Sequence, residues 1–120
     1  MGNPFMWVEL HTQDPEAARR FYTSLFSWQL KDVPMGPGAT YTMIDVGGGT
    51  GGGMLKHPVP GAPAQWLAYV RVDDVAAATR KAQDLGARVL RPRSEVPGFG
   101  WLSVIADPTG GALGLWEAKT

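Results

Sequence analysis

Two side chains near the start of the chain have the types that acid–base chemistry uses. Glu9 and His11 are separated by one residue, and this spacing places both on the same face of a β-strand. If that face is largely apolar, desolvation raises the pKa of the carboxyl, which suits a general acid or base. Glu9, assisted by His11, is therefore the residue that we expect to carry catalysis if the protein is an enzyme.

Both residues also have simpler interpretations. Glu9 would then be a buried carboxylate that is satisfied by Gln65, Tyr69 or an indole N–H. Glu9 and His11 could instead supply two ligands to a metal ion, but a third ligand would have to come from the other half of the chain. His57 lies in a proline-rich stretch and is interpreted as a solvated loop residue.

Composition excludes several classes of function. The absence of cysteine excludes disulfides, thiol nucleophiles and thiolate metal sites. The formal net charge is zero, so no overall field attracts nucleic acid. No apolar run approaches the roughly 20 residues that cross a bilayer, and the first residues lack the pattern of a secretory signal. We expect a cytoplasmic protein with neither nucleic acid nor membrane as a partner.

The elements that must position these residues occur in the same order twice. The first copy is predicted as a strand at 5–12, a helix from Asp14-Pro15 to about Ser27, strands at 28–33 and 41–46 separated by a turn at 34–38, and a glycine-rich stretch at 47–53 that leads into 54–56. The second copy is predicted as a strand at 65–72, a helix capped by Asp73 or Asp74 and stopped at Gly86, and strands at 88–91, 100–106 and 112–116. Measured from Asp14 to Asp73, the repeat is 59 residues long.

The repeat sets the expected organisation of the chain. We predict a single domain over 1–120, with one βαβββ unit at 1–57, a linker at 58–63 and a second unit at 64–120. A unit of about 60 residues buries its sheet poorly alone, so the two should pair. The predicted class is α+β, with two tandem βαβββ units forming a cup-shaped mixed β-sheet and the helices outside.

Several motifs resemble those of one known superfamily. They are the segment from Trp7 to Ala18, Phe21-Tyr22, Leu25-Phe26-Ser27-Trp28, Val72-Asp73-Asp74-Val75, Leu85-Gly86-Ala87 and Ala106-Asp107-Pro108-Thr109-Gly110-Gly111-Ala112. Their order and spacing resemble the vicinal oxygen chelate superfamily of glyoxalases, extradiol dioxygenases and bleomycin resistance proteins. The resemblance implies the glyoxalase/bleomycin resistance fold, a small-molecule ligand in the cup and a homodimer.

This chain departs from the superfamily at the metal ligands. In metal-dependent members, the resemblance implies that the first and last strands of each unit supply His, Glu or Gln ligands. The corresponding positions are Trp7, Leu67, Gly114 and either Gly52 or Gly53. None of these side chains donates a lone pair to a metal, which argues against glyoxalase I and extradiol chemistry. We expect no cofactor; a divalent metal remains open but disfavoured.

The remaining side chains of the predicted cup favour a flat, apolar ligand. Its expected ligand-binding residues are Trp7, Glu9, His11, Gln65, Leu67, Tyr69, Trp101, Gly114 and Trp116, with the three tryptophans as walls. Trp28 and Trp66 are expected to face the helices as core residues. Glycines at the former metal positions would leave room for a ligand ring. The glycine-rich stretch at 47–53 is expected not to form a strong strand, and to be either a mobile flap near the ligand or a simple loop tip.

Three functions follow as alternatives. The first is a metal-independent domain that binds or sequesters a hydrophobic or aromatic compound. The second is a glyoxalase-like lyase or isomerase, or a dioxygenase-type enzyme, that uses Glu9 and His11 with or without a divalent metal. The third is an interaction module in which the cup is filled and only the dimer matters.

Overall fold

The chain contains ten helices and strands in the described residues, which in this computed structural model are 2–35 and 37–120. They are β1 (Phe5–Thr12), α1 (Pro15–Leu25), β2 (Gln29–Pro34), β3 (Thr40–Asp45), β4 (Gly52–Lys56), β5 (Gln65–Arg71), α2 (Val75–Asp84), β6 (Arg88–Val96), β7 (Gly100–Ala106) and β8 (Ala112–Ala118). The order β-α-β-β-β therefore occurs twice, and the predicted α+β class is confirmed. Part of the predicted turn at 34–38, Gly36, lies outside the described residues.

The chain divides into two compact units. Residues 7–67 form the one that we call the first unit, and residues 2–6 together with 68–120 form the second unit. In the second unit the N-terminal residues run beside the end of β5: the Arg71 amide donates to the Pro4 carbonyl at 3.0 Å, and the Asn3 side chain donates to the Arg71 carbonyl at 2.8 Å.

An aspartate caps the start of each helix. The Asp14 carboxylate accepts a hydrogen bond from the Ala17 amide at 3.0 Å, and the Asp74 carboxylate accepts one from the Ala77 amide at 3.1 Å. Each cap satisfies an amide that has no partner within its helix. The sequence left Asp73 and Asp74 as alternatives and measured the repeat from Asp73. Asp74 immediately precedes the first helical residue, so the true cap-to-cap spacing is 60 residues.

The sheet of the first unit separates an apolar face from a polar one. Its strands lie in the order β2-β3-β4-β1, with β1 and β4 parallel and the other pairs antiparallel. Leu10, Ile44 and Met54 are buried on the face that packs against Ala18 and Tyr22 of α1. Because side chains alternate along a strand, Trp7, Glu9 and His11 lie on the opposite face. We call this opposite face the distal face.

The sheet of the second unit repeats this arrangement. Its strands lie in the order β5-β8-β7-β6, with β5 and β8 parallel. Val75 of α2 packs on Ile105 and Leu115, and a buried hydrogen bond of 2.8 Å joins Thr79 of α2 to Ser103 of β7. These residues define the helix-side face of the second sheet.

Strand β6 is longer than the sequence predicts. The predicted strand stops at Arg91 because Pro92 cannot donate a backbone hydrogen bond. In the structure, β6 continues to Val96, and its register against β7 shifts between Arg91 and Ser94. The irregularity accommodates the proline, as bulges on terminal strands do.

The glycine-rich stretch is also only partly a loop. Gly52 and Gly53 belong to β4, where β1 pairs with them on one side and β3 on the other, so the prediction that 47–53 avoids a strand is wrong for these two residues. A Cβ at Gly52 would overlap the Val8 carbonyl. Glycine is therefore what permits this close strand approach.

An ion pair on the first unit makes a pH-dependent contribution to stability. Asp32 accepts hydrogen bonds from Thr42 at 2.8 Å and from Arg19 at 2.6 Å; these contacts, the threonine bond first, hold the pKa of Asp32 below its ordinary value. A carboxyl with a lowered pKa in the folded state stabilises the protein above its unfolded-state pKa, and this stabilisation disappears as the pH falls through the folded-state pKa.

Asp32→Asn should therefore lower the free energy of unfolding at pH 7 by less than about 1 kcal/mol, because the pair is half exposed. Urea unfolding at pH 7 and at pH 2.5 measures the difference. The wild type and the variant should converge at the lower pH. An equal difference at both pH values would show that the charge of Asp32 contributes nothing.

Candidate functional site

Four side chains form a continuous hydrogen-bonded network on the distal face of the first unit. The Trp7 Nε1–H donates to the Tyr41 hydroxyl at 2.7 Å, and that hydroxyl donates to Glu9 Oε2 at 2.8 Å. The other carboxylate oxygen of Glu9 lies 2.6 Å from His11 Nε2. We call Trp7, Tyr41, Glu9 and His11 the polar network.

The strand order and one glycine explain how the network forms. Glu9 lies on β1 and Tyr41 on β3, with β4 between them. Gly53 of β4 pairs with Glu9, and a Cβ at this position would overlap the Tyr41 hydroxyl. Because Gly53 has no side chain, the tyrosine reaches across β4 to the carboxylate.

Burial places the network between core and solvent. The side chains of Glu9 and His11 are 14% and 15% exposed. Most of their surface is removed from water, which strengthens the hydrogen bonds between them, while a small molecule can still reach them. A carboxylate on one nitrogen of an imidazole also orients the ring, so His11 is held in place for proton transfer or for binding a polar group.

His57 also lies beside the network, which the sequence did not predict. Its ring centroid is 5.7 Å from that of His11 in an edge-on arrangement, and its Nδ1 accepts a hydrogen bond from the Val59 amide at 3.0 Å. The interpretation of His57 as a solvated loop residue is therefore wrong. Parallel pairing of β1 with β4 brings it there, since the His57 amide donates to the Thr12 carbonyl at 2.8 Å.

Tyrosines fill the space that the sequence assigned to a ligand. In the first unit the Tyr41 hydroxyl lies where a side chain at Gly53 would be. In the second unit the ring of Tyr69, which is 4% exposed, lies against Gly114 in the same way. The prediction that these glycines leave room for a ligand ring is therefore wrong, because each supports a tyrosine of the chain itself.

The predicted tryptophan walls fall on different faces of the second sheet. Trp116 pairs with Leu102 and lies on the same face as Gly114. Trp101 instead pairs with Glu117, whose carboxylate accepts a hydrogen bond from the first amide of α2 at 2.9 Å. Trp101 is thus on the helix-side face, and the prediction that it lines the same surface as Trp116 is wrong.

The other predicted site residues are distributed along β5 and α1. Leu67 is buried and Gln65 is exposed at the start of β5. Trp28 packs against the core of the first unit as predicted, with its ring 5.5 Å from that of Tyr22. Trp66 contacts the same tyrosine but is 40% exposed, so it is not the core residue that the sequence predicts.

Comparison with known proteins identifies the family. The model of the Glyoxalase/Bleomycin resistance protein/Dioxygenase superfamily matches residues 5–114. The chain belongs to this superfamily. Superfamily members with solved structures have the same fold: a methylmalonyl-CoA epimerase from Mycobacterium tuberculosis has a TM-score of 0.69 at 16% identity, covering 97% of this chain and 88% of the other. The protein BH1468 of Bacillus halodurans C-125 has a TM-score of 0.74 at 10% identity, covering 100% and 97%.

Curated relatives in the superfamily are longer proteins. A Mycobacterium tuberculosis protein that is named as a glyoxylase, CFP32, is 42% identical over 118 residues, which cover 94% of this chain and 45% of the relative. The anthracycline biosynthesis protein DnrV of Streptomyces peucetius is 31% identical over 126 residues, which cover 92% and 46%. The chain thus spans about half the length of the relatives that it matches.

The residues at the superfamily's metal positions do not fit a metal. Trp7 donates its only N–H to Tyr41 and has no lone pair to offer, Leu67 is apolar, and Gly53 and Gly114 have no side chain. Across residues 2–35 and 37–120, no three His, Cys, Asp or Glu side chains come close enough together to hold an ion. Within the same residues, no helix is both long and apolar enough to span a membrane.

Proposed function

We propose that the chain is a metal-independent domain that binds a hydrophobic, partly aromatic small molecule on the distal face of the first unit. The observation that carries the proposal is the polar network itself. It replaces metal-ligating side chains with an indole and a tyrosine, and it leaves one fixed carboxylate–imidazole pair beside them. The biosynthetic role printed in the name of DnrV, a relative at 31% identity, supports an aromatic ligand.

Each part of the network contributes a different interaction to binding. Trp7 offers an aromatic face whose orientation is fixed by its hydrogen bond to Tyr41. Glu9 and His11 present a polar edge to a hydroxyl or amine of the ligand, and their low exposure makes such a hydrogen bond strong. An apolar surface with few fixed polar groups is typical of small-molecule sites.

A thermal-shift screen against flat aromatic compounds tests this proposal. A compound at about 100 times its Kd should stabilise the protein by about 2.7 kcal/mol, with the same shift after treatment with a chelator. Glu9→Gln keeps the shape of the side chain but removes its charge, and should weaken binding about tenfold. Glu117→Gln is the matched control, because that carboxylate caps α2 on the other unit. A shift that requires an added divalent metal would contradict the proposal.

The short bond between Glu9 and His11 favours an enzyme as the second candidate. At 2.6 Å the carboxylate can orient the imidazole as a general base, which suits a lyase or isomerase that moves a proton without a metal. A conversion of the bound compound that is lost in both Glu9→Gln and His11→Asn, while its Kd changes little, would favour this candidate. Unchanged compound recovered from the complex would favour binding alone.

We also propose that the protein is a cytoplasmic homodimer. The absence of cysteine suits a reducing compartment. The terminal strands β2 and β6 expose unpaired backbone groups, which association between copies can cover. Superfamily resemblance supports the same assembly.

A further inference from the structure

An exposed aromatic surface lies beside α1 in the first unit. Four apolar side chains, which we call the aromatic patch, form it: Phe21 is 59% exposed, Leu25 57%, Phe26 45% and Trp66 40%. Helix α1 is amphipathic, yet none of its eleven residues is fully buried. Large contiguous apolar surfaces on a folded chain mark sites of association.

The patch is held in shape from beneath. The Tyr22 ring stacks on Trp28 with centroids 5.5 Å apart, and it meets the edge of Trp66 at the same distance. Phe26 lies 4.9 Å from Trp28, and the Trp66 N–H donates to the Tyr22 hydroxyl at 3.3 Å. Rings that are already ordered lose little conformational entropy on binding, which favours association.

The internal repeat shows that the fold does not require this patch. With the cap-to-cap spacing of 60 residues, Phe21 corresponds to Lys81, and Phe26 corresponds to Gly86. The same architecture therefore forms with a charged residue and a glycine at these two positions. The aromatic residues of the first unit serve a purpose other than folding.

We propose that the aromatic patch is the surface through which two copies of this chain associate. This inference rests on the homodimer proposed above and names its interface. At about 150–250 Å² per aromatic side chain, the exposed fractions leave roughly 400 Å² of apolar area. That is about half of the roughly 800 Å² that each partner buries in a stable complex, which is the share expected of an apolar interface centre.

Charge also favours a second copy as the partner. The four residues of the patch carry no charge, and the formal net charge of the whole chain is zero. Two copies therefore approach without net repulsion, whereas nothing in the patch selects a charged partner. A two-fold axis through the patch would place the same aromatic rings on both sides, as isologous dimers require.

Sedimentation equilibrium over a concentration series tests the interface. Phe21→Lys introduces the residue that the second unit already carries at the corresponding position, so the fold should tolerate it. Truncation of a central interface residue weakens binding by about thirtyfold or more, so the dimer Kd should rise by at least that factor. Phe99→Lys is the matched control, since Phe99 is 63% exposed but lies in the second unit outside the patch.

The outcomes separate the interface from the assembly. A wild-type chain that remains monomeric at every concentration would overturn both the homodimer and its interface, while leaving ligand binding untouched. A wild-type dimer that Phe21→Lys does not weaken would overturn only the interface. If Phe21→Lys fails to fold by circular dichroism, Leu25→Lys gives the same test, because Leu25 is as exposed as Phe21.

Discussion

Gly114→Ala should lower the free energy of unfolding by about 3 kcal/mol, the upper end of the usual cost of overpacking. The added methyl group would overlap the ring of Tyr69, which lies directly across from Gly114 in the pairing of β5 with β8. Tyr69 is 4% exposed, so its ring cannot move into solvent to make room. Urea denaturation of the wild type and the variant measures the loss.

A double-mutant cycle identifies the cause of this loss. Tyr69→Leu removes the ring, so in that background Gly114→Ala should cost less than about 1 kcal/mol. Gly2→Ala is a control for the intrinsic effect of the substitution, because a Cβ there meets no atom within 4 Å. The same cost for Gly114→Ala with and without the tyrosine ring would show that the glycine is needed for another reason.

Tyr41→Phe should lower the free energy of unfolding by about 2 kcal/mol. The ring would still lie over Gly53, but its hydroxyl, which accepts from Trp7 and donates to Glu9, would be gone. Hydrogen bonds to charged groups contribute about 1.5–3 kcal/mol, and loss of a partner for a largely buried indole N–H adds to the cost. Urea denaturation again gives the value.

Tyr22→Phe is the matched control for this hydroxyl. The Tyr22 hydroxyl accepts a longer hydrogen bond of 3.3 Å from the exposed Trp66, so its loss should cost less than about 0.5 kcal/mol. Similar losses at Tyr22 and Tyr41 would mean that the polar network contributes nothing special to stability. A large loss at Tyr41 alone would show that Glu9 is held by the hydroxyl.

The order and type of the elements could be predicted because they depend on local signals. Alternation over Phe5–Thr12 gave the correct bounds of β1, and the helix starts followed from aspartate caps and Pro15. The choice between Asp73 and Asp74 failed because both carry the same carboxylate. Only the position of the first helical residue, Val75, decides between them.

The candidate site was predictable only in part, because strand pairing determines the rest. Alternation correctly placed Glu9 and His11 together, but Tyr41 is 32 residues away from Glu9 and no local pattern connects them. A tyrosine at the start of an alternating strand and a glycine in the neighbouring strand were the only available signals. Alternation also gives relative faces and not absolute ones, which is why Trp101 was assigned to the wrong side.

The three consecutive glycines after β3 have a further consequence for how this chain can change. Gly47, Gly48 and Gly49 have φ angles of 93°, 145° and 82°, and all three are exposed. Each doubling of the length of a flexible connection costs only about 0.6 kcal/mol in closure entropy. Evolution or an engineer can therefore insert a peptide, or even a whole domain, at this point. Two residues further on, at Gly52, the strands on both sides permit no such addition.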